Sequence, residues 1–119
     1  MGNYYIEKEA WEQALEALSK ATEVAPDDVQ AWSGLAYVYT RMGDLQAAVE
    51  ANLQVLAISP NDFITHRNLA LIYRDLGDMT NALIHAQRAL DVAPENERAN
   101  MQAFVVELQQ LAAEQSRGG

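Results

Sequence analysis

Cysteine is absent from the 119 residues, which removes disulfides, thiolate nucleophiles and sulfur metal ligands while leaving the compartment open. Basic residues are scarce: 8 Lys and Arg stand against 17 Asp and Glu, for a formal charge of −9. A pI near 4.5 argues against a general nucleic-acid binder, whose affinity rests on cations neutralising phosphates. Apolar residues never run 18 in a row, so no membrane insertion is expected. No basic stretch followed by an apolar one comes after Met1, and Ile6 stands where a myristoylation start would need Ser or Thr. The compartment stays open, with a lean to the cytoplasm. What is present is apolar: half of the chain is hydrophobic, too much for a disordered segment and enough for one domain of ordinary size.

The three prolines set a period. Pro26, Pro60 and Pro94 are spaced 34 residues apart, twice over. Residues 29–62 laid over 63–96 without a gap match at eight positions: Leu35 with Leu69, Ala36 with Ala70, Tyr39 with Tyr73, Gly43 with Gly77, Asp44 with Asp78, Ala48 with Ala82, Leu56 with Leu90, and Pro60 with Pro94. The same frame extends backwards to Tyr5, Ala14 and Pro26. The chain therefore divides into a partial repeat (1–28), two full repeats (29–62 and 63–96) and a last helix with a tail (97–119), expected as a single domain.

The matched residues have mechanical roles. Trp32, Leu35, Ala36 and Tyr39 follow the three-and-four spacing of one helix face. Gly43 then supplies a left-handed cap and Asp44 starts the next helix. The second stripe runs through Leu45, Ala48, Val49, Asn52, Val55 and Leu56, weakened at Asn52, until Pro60 stops it and Asn61-Asp62 caps its successor. The reading predicts six helices, near 4–24, 29–42, 45–58, 63–76, 79–92 and 97–115, the first of them running as one helix or else split or bent near Glu9. Leu35, Leu69, Tyr39, Tyr73, Ala48 and Ala82 are expected to be buried.

In its period and in Trp32, Leu35, Ala36, Tyr39, Ala48 and Pro60, the chain resembles the tetratricopeptide repeat family. The resemblance covers about Tyr5 to Pro94. It departs at His66, which takes the Trp32 slot, and at Ala86, in a slot usually aromatic. It implies an all-α, right-handed helix-turn-helix repeat array (an α-solenoid), here with a C-terminal capping helix. Residues 97–115 suit that cap: Phe104 fills a slot that Ala36 and Ala70 keep small. The N-terminal stretch reads instead as half a unit, so Trp11, Leu15 and Leu18 are expected to form a partly bare apolar face, a candidate for self-association.

Catalytic templates find nothing to match. Nothing sets His66 or His85 beside a serine, so both read as ordinary helical histidines. No H-E-x-x-H motif occurs, and carboxylates at helical spacing such as Glu12 and Glu16 are expected by chance among 17. Neither an enzyme nor a cofactor or metal site is expected.

A binding surface remains. Opposite the inward stripe of 29–42 lie Gln30, Ser33, Tyr37 and Arg41, with Thr40 at the edge; the next unit holds Ile64, Arg67, Leu71 and Asp75, with Arg74 beside them. The last helix begins the series again with Arg98. The resemblance implies that these slots line a concave groove for a peptide or protein, so Tyr37, Arg41, Arg67, Leu71, Arg74 and Arg98 are the candidate partner residues. Four arginines on an acidic body suit an acidic segment or a terminal carboxylate. Against this, an arginine in such a slot is as readily a solvated residue paired with a neighbouring Asp or Glu. Ser33, Tyr37 and Leu71 stand where some family members place a Lys and Asn set that grips a terminal carboxylate, so that clamp is not expected. The leading function is a non-catalytic interaction scaffold; homo-oligomerisation through Trp11, Leu15 and Leu18, or docking within a larger regulator, are the alternatives.

Overall fold

The computed structural model describes the backbone of residues 2–118 and the side chains of 10–118. Among the described residues it holds six helices and no strand: α1 (Gly2–Val24), α2 (Val29–Met42), α3 (Leu45–Ile58), α4 (Phe63–Asp75), α5 (Met79–Val92) and α6 (Glu95–Gly118). This is an all-α helical-repeat fold. No described helix is long and apolar enough to cross a membrane. The chain divides into two compact units, residues 1–59 with α1–α3 and residues 60–119 with α4–α6.

Local chemistry sets the helix ends. Asp28, Asp44, Asp62 and Asp78 cap α2 to α5, each carboxylate accepting from a backbone N–H two or three residues on, at 3.0–3.2 Å for Gln30, Ala47, Thr65 and Asn81. The side chain and backbone of Asn81 hold the Asp78 carboxyl below the usual range. Gly43 and Gly77 adopt φ of 83° and 81°, the left-handed conformation that closes α2 and the turn after α4. Asp44 N–H and Asp78 N–H then reach back to Tyr39 O and Tyr73 O, both at 2.9 Å, which is the six-to-one bond of a Schellman motif.

Of the readings open for the first helix the continuous one holds, and one helix start is corrected. α1 runs unbroken through Glu9; its Tyr4 and Tyr5 lie outside the residues whose side chains are described. α6 begins at Glu95, not 97. Pro94 pushes Ala93 into extended backbone (φ −66°, ψ 139°), ending α5. The new helix starts at once, with Glu97 N–H bonded to Pro94 O at 2.8 Å and Glu95 and Glu97 placed favourably at its positive end.

In the first unit Leu15 and Leu18 of α1, Trp32 and Tyr39 of α2 pack around buried Leu35, Ala36 and Ala51. In the second, Ala70 of α4, Ala82 and Ala86 of α5, and Val105 and Leu108 of α6 form the core, with Tyr73, Leu83 and Phe104 against it. Leu35, Leu69, Ala48 and Ala82 are buried as expected; Tyr39 and Tyr73 are only half-buried. For Tyr39 the reason is a cleft between α1 and α3 that leaves one side of its ring open. Asn52, which interrupts the α3 stripe, is buried and satisfies itself by donating to Ala48 O at 2.9 Å.

Candidate functional site

On α2, the inward slots Leu35 and Ala36 are buried while Tyr37 is 59% exposed, with Ser33 and Arg41 exposed on the same side. On α4, Leu69 and Ala70 are fully buried while Ile64 is 48% exposed and Arg67, Leu71 and Arg74 are half-buried. Residues 64, 67, 71 and 74 follow helical spacing, so they share a face of the second unit. Tyr37 and Arg41 belong to the first unit.

The arginines are not equivalent. Arg67 rests over the Phe63 ring, 5.6 Å from its centroid. Arg74 lies 5.8 Å over Phe104 of α6 and is ion-paired at Nη2 with Asp75 Oδ1 (3.4 Å), with Glu107 Oε1 4.0 Å from Nη1. Its charge is already met within the unit. Arg98 donates from Nη1 to Leu90 O at 3.5 Å, at the carbonyl end of α5. Arg41 makes no ion pair among the described residues.

α2 lies against the face of Trp11, Leu15 and Leu18. Leu15 and Leu18 pack on the core formed with α2, and the Trp11 ring meets Tyr37 edge to face, centroids 5.9 Å apart at 66°. All three are half-buried. α2 ties Trp11 to Tyr37, which the sequence assigned to a different surface.

The structure also brings together two histidines that the sequence left unconnected. Trp32 Nε1–H donates to Pro26 O at 2.8 Å; His66, one period later, places Nε2 2.8 Å from Pro60 O. A carbonyl only accepts, so His66 Nε2 carries the hydrogen, and in the neutral form of the ring Nδ1 offers a lone pair. That atom lies 3.1 Å from His85 Nδ1, which donates to it in that form. Ring centroids 5.3 Å apart, with planes 28° from parallel, place the rings edge to edge, as the hydrogen bond requires. Tyr73 stacks on His85 at 5.7 Å and 12°. Burial, then the charges of His66 and Arg88, pushes His85 below the ordinary histidine value, and burial followed by Asp78 pushes the Tyr73 hydroxyl up. The signal for this contact was in the period: His66 and His85 sit 34 residues after Trp32 and Ala51, which line one cleft of the first unit. Among the described residues no group of three or more His, Asp or Glu is placed to hold a metal.

Tetratricopeptide-repeat family models match residues 1–63 and 68–96. No curated protein matches the chain in sequence. Among solved structures, a crystal structure of MamA superposes with a TM-score of 0.69 at 15% identity, covering 98% of this chain and 77% of that one. A second MamA structure, AMB-1, gives 0.69 at 21% identity, over 99% and 70%. The TPR2B domain of yeast Sti1, in a complex with pHsp70, gives 0.71 at 19% identity, over 96% and 91%. At these identities the likeness establishes the shared fold.

Proposed function

Because the chain belongs to the tetratricopeptide repeat family, we propose that it is a non-catalytic scaffold that takes a peptide or protein segment on an exposed first-helix face, that of α2 in one unit or that of α4 in the other. The observation that carries this reading is the same in both repeats. The stripe that packs the repeat is closed, yet large apolar side chains remain outside on the first helix, Tyr37 at 59% and Ile64 at 48% exposure. Exposed apolar groups set among polar ones are the ordinary composition of a contact surface. The Sti1 domain, of similar fold, was solved in a complex with pHsp70, which supports a peptide or protein as the class of partner.

For the chemistry of such a segment, Arg67 favours acidic residues and Leu71 apolar ones on α4, as Arg41 and Tyr37 do on α2. Arg74 contributes only by exchanging Asp75 and Glu107 for the ligand's carboxylate, a trade close to neutral for a half-exposed pair. Repulsion from the −9 body opposes association throughout, so affinity is modest and falls with salt. Ser33, Tyr37 and Leu71 leave no Lys and Asn clamp for a terminal carboxylate, which favours an internal acidic segment over a chain end.

The test is fluorescence anisotropy with a dye-labelled peptide of alternating Glu and Leu. The double variant Arg67→Glu/Arg74→Glu is expected to weaken its binding by about tenfold or more, with helicity and melting nearly unchanged. Binding that survives the double reversal would move the working surface away from α4.

A further inference from the structure

The first unit also contains a cleft lined by acidic rather than basic residues. α1 and α3 both pack on α2, and between them lies a cleft of about 550 Å³, within the range of pockets that hold ligands. Its floor is Trp32, Leu35 and Tyr39 of α2. Ser19, Thr22 and Glu23 form the α1 wall, and Glu50, Leu53 and Gln54 stand on the α3 side. The Trp32 ring is held in place by its bond to Pro26 O, and the Thr22 hydroxyl is occupied by Ser19 O at 2.8 Å. What the cleft offers a ligand is therefore aromatic surface below and two exposed carboxylates, one from each wall. Neither Glu23 nor Glu50 is ion-paired among the described residues; the nearby Lys20 is taken by Glu16 at 3.6 Å.

We propose that this cleft receives an arginine side chain presented by a protein segment with apolar neighbours. The charge of the walls selects a cation, and the −9 body attracts it. The floor selects one with a flat, weakly hydrated head: a guanidinium lies against an indole or phenol face while its fork reaches a carboxylate, which a compact ammonium does less well. Leu53, 41% exposed at the cleft, offers contact to an apolar residue beside the arginine. The site differs from the proposed first-helix faces in location and in charge preference, so either can fail without the other.

An acetylated, amidated Leu-Arg-Leu tripeptide is the probe, followed by the indole N–H resonance of Trp32 in a Trp11→Phe background. Saturable shifts are expected, with affinity about tenfold lower in Glu23→Gln/Glu50→Gln. Both glutamates are exposed, and melting curves verify that the variant folds. A Leu-Lys-Leu peptide should bind more weakly, and one with norleucine at the centre should not shift the resonance. Equal affinity for the norleucine peptide, unchanged affinity in the double variant, or no saturable shift with Leu-Arg-Leu would overturn the assignment. Acetyl-arginine amide binding as tightly as the tripeptide would overturn the apolar-flanked segment as the occupant.

Discussion

Ala82 offers the sharpest test of how the second unit is built. It is fully buried where α5 meets α4 and α6, against a core of Ala70, Ala86, Val105 and Leu108. Ala82→Leu adds three carbon atoms at a point where two helices approach through alanines, and a packed interior has no void to receive them. Overpacking of this kind costs about 1–3 kcal/mol. Helix propensity does not confuse the reading, since Leu ranks just below Ala. With an unfolding entropy of about 2.1 cal/mol/K per residue, a chain of 119 residues loses roughly 4–12 °C in Tm for that cost. The assay is thermal unfolding followed by helical circular dichroism, with Ala103→Leu on the exposed side of α6 as a control expected to shift little. Ala48→Leu, at the equivalent and equally buried slot of the first unit, should lose a similar amount. Melting of Ala82→Leu indistinguishable from the control would refute the close-approach slot, and with it the alignment of the two repeats.

Lowering the pH should destabilise the protein through His85. Its folded pKa lies below the ordinary 6.5, so the native state binds fewer protons than the unfolded one as the pH drops through that value. The histidine contribution is thus complete above about 6.5 and is lost as the pH falls toward and through the folded value. The groups acting on it are His66 of α4 and Arg88 of its own helix, neither of which offers a compensating negative charge. His85→Gln, whose amide can still donate to His66 Nδ1, should melt with a shallower dependence between pH 7.5 and 5; an equal slope would remove His85 as the cause. Gly77→Ala forces a side chain into φ of 81° and should cost about 1–2 kcal/mol by denaturant titration. Nothing but Gln115 Nε2, at 3.9 Å, approaches the added carbon, so a neutral result would leave no conformational penalty there. Asp44→Ala removes the acceptor for Ala47 N–H and should lose about 0.5–2 kcal/mol, which Asp44→Asn should largely restore.

Helix boundaries were legible because their causes act over a few residues. Pro60 and Pro94 remove an N–H and restrict the residue before them; Gly43 and Gly77 admit a conformation others resist; Asp44 and Asp62 reach N–H groups three residues on. Even the early start of α6 follows from Pro94 and the glutamates after it, a combination present in the chain but read two residues late. Burial of Leu35, Leu69, Ala48 and Ala82 was legible from the period alone, because a slot that recurs every 34 residues returns to the same face of the same helix.

The six helices, their repeat, their caps and the inward stripes were thus determined by the amino-acid sequence itself, through dihedral restriction and hydrophobic spacing that operate along the chain. The encounters between side chains on different helices were not. Arg74 has only carboxylates near it in sequence until α6 brings Glu107 and Phe104 to it, and Trp11 meets Tyr37 only once α2 packs on α1. His66 and His85 become a hydrogen-bonded pair, and Glu23 and Glu50 the walls of one cleft, only once the helices have settled against each other. Those meetings depend on interhelix distance and rotation, which are fixed by how Leu35, Ala36, Ala51, Ala82 and Leu108 fill the cores, and a change of an ångström there decides whether two polar groups bond or face water.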